Sequence, residues 1–206
     1  AARNATSRRG GRIPPPHGMP VAKLRQTHGA TEECPRKKLP FPYCCVSLSD
    51  MERTAIFPGS FDPFTRGHEA LVAEALNLFD RVVIGIGNNS AKSGLLTVEN
   101  RHRLIEDLYA GNDRVEARIY SGLTGDFATA EGACAIIRGV RNTTDFEYER
   151  TMEATNHRLY RGITTVMLFT PSPVADISSS TVREILSFGR SVAEFMPRGI
   201  IIENYL

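Results

Sequence analysis

The sequence predicts an α/β fold, a single doubly wound domain on a five-stranded parallel sheet, and three observations lead there. From Met51 onward, short apolar runs alternate with amphipathic ones, the rhythm of parallel strands covered by crossover helices. The alternation repeats five times. The chain has 206 residues and is 41% hydrophobic, enough for one well-buried domain of ordinary composition.

Strands are expected near "RTAIF" 53–57, "RVVIGIG" 81–87, "RVEARIY" 114–120, "CAIIRG" 134–139 and "ITTVMLF" 163–169. None approaches the ~20 apolar residues that a membrane span needs. Helices fill the gaps near 67–79, 97–110, 124–132, 143–160 and 179–188. In the first, Ala70, Leu71, Ala75, Leu76 and Phe79 gather on one face. The second follows Thr97, an N-cap, with Glu99 in its first turn, where the helix dipole favours an acid. A short helix or turn is expected after Ser191. The strand order expected of such a sheet is 3-2-1-4-5.

Residues 1–50 form a different region. They hold seven of the twelve prolines, including "PPP" at 14–16, and show neither strand nor helix periodicity, so a disordered leader is expected. A start-site artefact is the other reading; it makes Met51 the native start and 51–206 the domain. The net charge of +2 conceals an asymmetry: residues 1–50 carry nine Lys or Arg against three acids, and residues 51–206 carry sixteen against twenty. A basic leader of this kind is more often solvated than bound to nucleic acid, so no nucleic-acid or membrane partner is expected. Cys34, Cys44, Cys45 and Cys134 show no C-x-x-C spacing and no ligating histidine nearby, which argues against a zinc site or disulfide framework and for a reducing, cytoplasmic setting. Cys134 is expected to be a small buried hydrophobe.

In a doubly wound sheet, ligands bind beyond the carboxyl ends of the strands, where strand order reverses. Here that switch lies between strands 1 and 4. The loop after strand 1 is "PGSFDPFTRGH", 58–68, and the loop after strand 4 is "RGVRNTTDFEYE", 138–149. Gly59 and Gly67 let backbone approach a ligand, Pro58 and Pro63 stiffen the turn, and Asp62 is expected to tie the loop to its own amides. His68 falls in the first helical turn, beside free N–H groups that suit an anion such as phosphate. The spacing matches neither a Walker loop nor G-x-G-x-x-G. Lys92 follows strand 2 in "GNNSAKSG", Arg138 and Arg141 follow strand 4, and "DISSSTVRE" follows strand 5. Singly, each has a plain reading: a packed histidine, a solvated lysine, an ion-paired arginine, a serine N-cap. Together on one rim they point to a phosphate pocket.

"PGSFDPFTRGH" resembles the T/H-x-G-H signature of nucleotidyltransferases, and its combination with "IIRGVRNTTDFEYE" and "ISSST" resembles the phosphopantetheine adenylyltransferases, over residues 52–206. The resemblance implies a Rossmann-like fold and adenylyl transfer from ATP to 4′-phosphopantetheine, giving dephospho-coenzyme A and pyrophosphate, with Mg²⁺. It also implies a homohexamer and coenzyme A as a feedback ligand. By the same resemblance His68 and Lys92 are catalytic, and Ser60, Lys92, Thr124 and Arg138 bind the acceptor. ATP would be held by Ser60, Phe61, His68, Gly139, Val140, Arg141, Glu149 and the run Val174, Ala175, Asp176, Ile177, Ser178, Ser179 and Ser180. No protein metal ligand is implied.

The chain departs from the common pattern at Val174, Ala175 and Asp176, where an aromatic and a serine are frequent, and at Thr124, which replaces an apolar residue. Two alternatives remain open on the sequence: another adenylyl- or cytidylyltransferase, such as one acting on nicotinate mononucleotide, and a nucleotide-sensing or RNA-binding module that kept the fold without catalysis.

Overall fold

A computed structural model of the chain describes residues 52–88 and 94–206. The expectations for the leader and for Lys92 fall outside the described residues. The parallel strands are β1 (Thr54–Gly59), β2 (Arg81–Gly87), β3 (Val115–Tyr120), β4 (Ala135–Val140) and β5 (Thr164–Phe169). Their order is β3-β2-β1-β4-β5, the predicted doubly wound arrangement. The helices are α1 (Arg66–Ala75), α2 (Val98–Leu108), α3 (Thr124–Ala130), α4 (Thr143–Leu159) and α5 (Ser179–Ser187). Short 3₁₀ turns follow at Ser172–Val174 and Ile202–Tyr205.

Successive strand residues face opposite sides of a sheet, and here both sides are apolar. Ala55 and Phe57 of β1, with Val82, Ile84 and Ile86 of β2, join Leu71 and Val72 of α1, Leu104 and Ile105 of α2 and Val182 of α5 in one core. The intervening Ile56 and Val83 turn the other way, onto Phe127 and Ala128 of α3. Continuous apolar strands are the pattern that sandwiching between helices demands.

Three local expectations are corrected, and the helix or turn expected after Ser191 proves to be a turn. Helix α1 ends at Ala75 rather than near 79, because Asn77 and Leu78 bond back to Glu74 and Ala75 three residues earlier, tightening the last turn. Phe79 is buried even so. After Ser191 there is a turn, with Phe195 N–H on the Val192 carbonyl, and the terminal 3₁₀ turn packs on α2 through a 2.8 Å bond from the Tyr205 hydroxyl to Asp107. Cys134 is exposed rather than buried, because β4 begins one residue after it, and its Sγ lies 3.4 Å from the Thr54 carbonyl. Asp62 ties its loop not to its own amides but to those of Leu95 and Leu96, both at 2.8 Å.

The sheet opens where strand order reverses. β1 pairs with β2 along all six of its residues, but with β4 only at Ala55 and Ile56. Pro58 has no N–H to offer β4. Beyond Ile56 the two strands splay, and the gap between them is the floor of the cleft.

Candidate active site

A cleft of about 740 Å³, within the range of ligand sites, lies over the carboxyl ends of the strands. It runs from Tyr120 and Gly122 after β3, past Gly59, Ser60 and His68, to Arg138, Gly139, Arg141, Thr170 and Ile177 to Ser180. Of the residues expected at the site, it gathers Ser60, Phe61, His68, Arg138, Gly139, Arg141, Glu149, Ile177, Ser178, Ser179 and Ser180.

Thr124, Val140, Val174, Ala175 and Asp176 do not line the cleft. Val140 and Val174 are buried, and Asp176 is exposed outside it. Thr124 stands one side chain back, its hydroxyl 3.2 Å from that of Tyr120. The residues that sequence reasoning missed include Tyr120, Asp145 and Thr170. For Asp145 the signal was present, an acid one turn after Arg141. Tyr120 and Thr170 fall at the ends of strands 3 and 5, which topology alone could have flagged.

His68 is held from three sides. It occupies the third position of α1, and its Nδ1 accepts from the Thr65 backbone N–H at 3.0 Å, with the Thr65 hydroxyl at the same distance. This is the reaching-back half of a capping box, made by an imidazole in place of a carboxylate. Since Nδ1 accepts an N–H, the proton of the neutral ring sits on Nε2, which is left as a donor. Around the ring stand Phe57, Phe61 and Phe64, with centroids at 6.2, 5.2 and 5.2 Å. Phe61 reaches this position with φ of +50°, a left-handed backbone unusual for a bulky residue. Its ring occupies the space of a side chain at 59, where a Cβ would come within 2.7 Å of it. Gly59 thus serves the aromatic nest. Gly67 serves packing: a Cβ there would lie 3.2 Å from the Ile177 carbonyl.

Burial in this nest, aided by the Arg141 charge, lowers the His68 pKa from 6.5 to about 4. Between those values the unfolded chain takes up a proton that the folded protein refuses. The stability contributed by neutral His68 is therefore complete above 6.5 and lost as pH falls through about 4. Unfolding by denaturant at a series of pH values should show the wild type losing stability relative to His68→Gln across this window. Parallel pH curves would show that the imidazole titrates normally.

The two arginines after β4 are both paired. Arg138 donates from Nε and Nη2 to the Glu149 carboxylate at 2.5 and 2.7 Å, and from Nη1 to the Pro58 carbonyl at 3.1 Å. It thereby satisfies the carbonyl that the splayed strands leave free, and Glu149 is the one residue of α4 that is buried. Arg141 holds Asp145 at 2.9 Å. The serines of "ISSST" do the ordinary work of a helix start: Ser178 accepts from Thr181 N–H at 3.1 Å, and Ser179 donates to the Pro63 carbonyl at 2.8 Å. Asp62 and Arg183 knit the rim, with Arg183 on the Asp62 carbonyl at 2.6 Å and on the Ser180 hydroxyl at 3.2 Å. The arrangement offers a neutral N–H donor, guanidinium groups and helix-start amides around one opening. That suits stabilisation of charge on phosphate, with no activated nucleophile in evidence among these residues.

The cytidylyltransferase-like family model matches residues 56–185. The phosphopantetheine adenylyltransferase of Phocaeicola vulgatus is 48% identical over 151 residues, covering 73% of this chain and 99% of the relative. That of Porphyromonas gingivalis is 46% identical over 149 residues, 72% and 97% of the two chains. That of Cytophaga hutchinsonii is 45% identical over 147 residues, 71% and 98%.

Proposed function

The chain belongs to the cytidylyltransferase-like family and, within it, to the phosphopantetheine adenylyltransferases, and from that membership we infer that the cleft joins ATP to 4′-phosphopantetheine. The reaction is adenylyl transfer, a step of coenzyme A biosynthesis. A phosphate oxygen of the acceptor attacks the α-phosphorus of ATP, the bond to the bridging oxygen breaks, and pyrophosphate leaves with that oxygen. The nucleophile is already ionised at neutral pH, so no general base is required. Catalysis rests on in-line placement and on donors where charge accumulates.

The observation that carries this reading is the His68 ring, whose one N–H is free for an α-phosphate oxygen because Nδ1 is engaged by Thr65. Ser60 and Phe61 are assigned, by family resemblance, to the triphosphate. Lys92 is assigned, by family resemblance, to the attacking phosphate and the transition state. Arg138 is assigned to the acceptor, and Gly139, Arg141, Glu149 and residues 177–180 to the nucleotide. Val140, Val174, Ala175 and Asp176 would act behind that wall, and Thr124 behind the acceptor.

Magnesium is bound characteristically by phosphate oxygens and water, with few carboxylates. The cleft's carboxylates, Asp145 and Glu149, are engaged by arginines, so the donor set fits an ion that enters on the triphosphate. Bound there, Mg²⁺ supplies charge neutralisation to the phosphates.

Self-association, as a hexamer by family resemblance, is supported by α4, which leaves Phe146, Tyr148, Met152 and Leu159 exposed, and by Phe169 at the end of edge strand β5. Coenzyme A, which carries the same phosphopantetheine arm, is proposed as a feedback ligand of the cleft. No helix among the described residues is long and apolar enough to cross a membrane, and a cytoplasmic location is proposed. The catalytic domain is proposed to be residues 51–206.

The test is pyrophosphate release from ATP and Mg²⁺ with each acceptor in turn. Release with 4′-phosphopantetheine and none with nicotinate mononucleotide is expected. The reverse pattern would replace the assignment with the rival acceptor.

A further inference from the structure

At the end of the cleft remote from Arg141 and the serines, one tyrosine is held more firmly than a surface side chain requires. The Tyr120 ring stacks on Phe127, with centroids 4.5 Å apart and planes at 11°. Phe127 in turn lies over β2 at Gly85, where a Cβ would come within 2.4 Å of its ring, so the stack has room only because that residue is glycine. The Tyr120 hydroxyl is 3.2 Å from the Thr124 hydroxyl.

Thr124 itself stands on an anchored element. Tyr160, at the end of α4, covers Gly125, where a Cβ would meet its ring at 2.1 Å, and its hydroxyl donates to Asp126 at 2.8 Å. The Tyr120 hydroxyl lies beside the end of β2, 3.8 Å from where a Cβ on Gly87 would stand. That point faces the same opening as Ser60 and His68.

A pair of hydroxyls has two protons and uses one between them. With Thr124 as the donor within the pair, the Tyr120 O–H is left for a ligand among the described residues, its direction set by the stack and by Thr124. Such a donor complements a carbonyl better than it does a phosphate, for which charged groups stand nearer Arg138. Resting on the adenylyl-transfer reading above, we propose that Tyr120 is a specificity-determining residue for the acceptor. Its hydroxyl, aligned by Thr124, donates to an amide carbonyl of the uncharged arm of 4′-phosphopantetheine. Thr124 is then a positioning residue, which accounts for a hydroxyl where an apolar side chain is common.

Tyr120→Phe keeps the ring and its stack and removes only the hydroxyl. Losing one hydrogen bond of this kind should raise KM for 4′-phosphopantetheine about five- to tenfold. The KM for ATP and kcat should stay within about twofold, since neither involves that bond. Thr124→Val should shift the acceptor KM in the same direction by less, and the double variant should be no worse than Tyr120→Phe alone, because both act through one pair. An unchanged acceptor KM in Tyr120→Phe, or an equal rise in KM for ATP, would overturn the proposal while the wild type still turns over 4′-phosphopantetheine. No turnover by the wild type would overturn the assigned reaction as well. Thermal melting of each variant identifies any loss that comes from unfolding.

Discussion

Replacing His68 with alanine is expected to lower kcat about a hundredfold while KM for both substrates stays nearly constant. The side chain offers a single N–H, and on the proposed assignment its value lies in the charge that builds on the α-phosphate as the new bond forms. On the proposed assignment, ground-state ATP is held instead by Ser60, Arg141 and helix-start amides. Steady-state kinetics separates the two cases, and a rise in KM alone would remove His68 from the transition state. His68→Gln should retain more activity than His68→Ala, because an amide can both accept from Thr65 N–H and present a donor. The low pKa of the imidazole enters here as well. With the ring of the free protein neutral from about pH 4 upward, the acidic limb of the kcat/KM profile should follow phosphate ionisation, near pH 6, and persist in His68→Gln.

The second large effect concerns Arg138 and Glu149. Their side chains are 27% and 11% exposed, so the carboxylate depends on its partner far more than the guanidinium does. Arg138→Met should therefore cost about 3 kcal/mol of folding stability, the penalty of a buried charge left alone. Glu149→Leu should cost less, because the freed guanidinium can turn to water and keeps the Pro58 carbonyl. The double variant should regain most of the stability of the wild type, since an apolar pair of similar volume can replace a buried ion pair. It should not regain acceptor binding. Denaturant unfolding and the KM for 4′-phosphopantetheine read the two quantities independently. Penalties that simply add in the double variant would show that the pair is not coupled.

These expectations expose how differently the parts of the protein were legible. The three inner strands, β1, β2 and β4, could be read because their apolar runs serve both faces, a demand made by the helices on either side and visible without coordinates. Helix starts at Thr97 and Ser178 could be read because capping is local chemistry, involving residues three apart. The end of α1 could not, because Phe79 keeps the helical spacing while the backbone tightens beneath it. The cleft wall formed by Ser60, His68, Arg138 and Arg141 was legible from topology, since strand ends must meet at the switch point. For Tyr120, topology could have placed the residue at the rim, but its stack on Phe127 and its bond to Thr124 are visible only in the folded structure.

By itself the sequence determined the strand count, the doubly wound order, the family resemblance and part of the cleft wall, because these depend on periodicity and on motifs short enough to be read along the chain. The tertiary structure alone decided how those residues are used. Asp62 reaches Leu95 and Leu96 across a loop, Arg138 takes Glu149 and Pro58 together, and three phenylalanines crowd the His68 ring. Each of these sets a charge, a tautomer or a direction through neighbours distant in sequence, and the free energy of a polar group is fixed by what surrounds it in space.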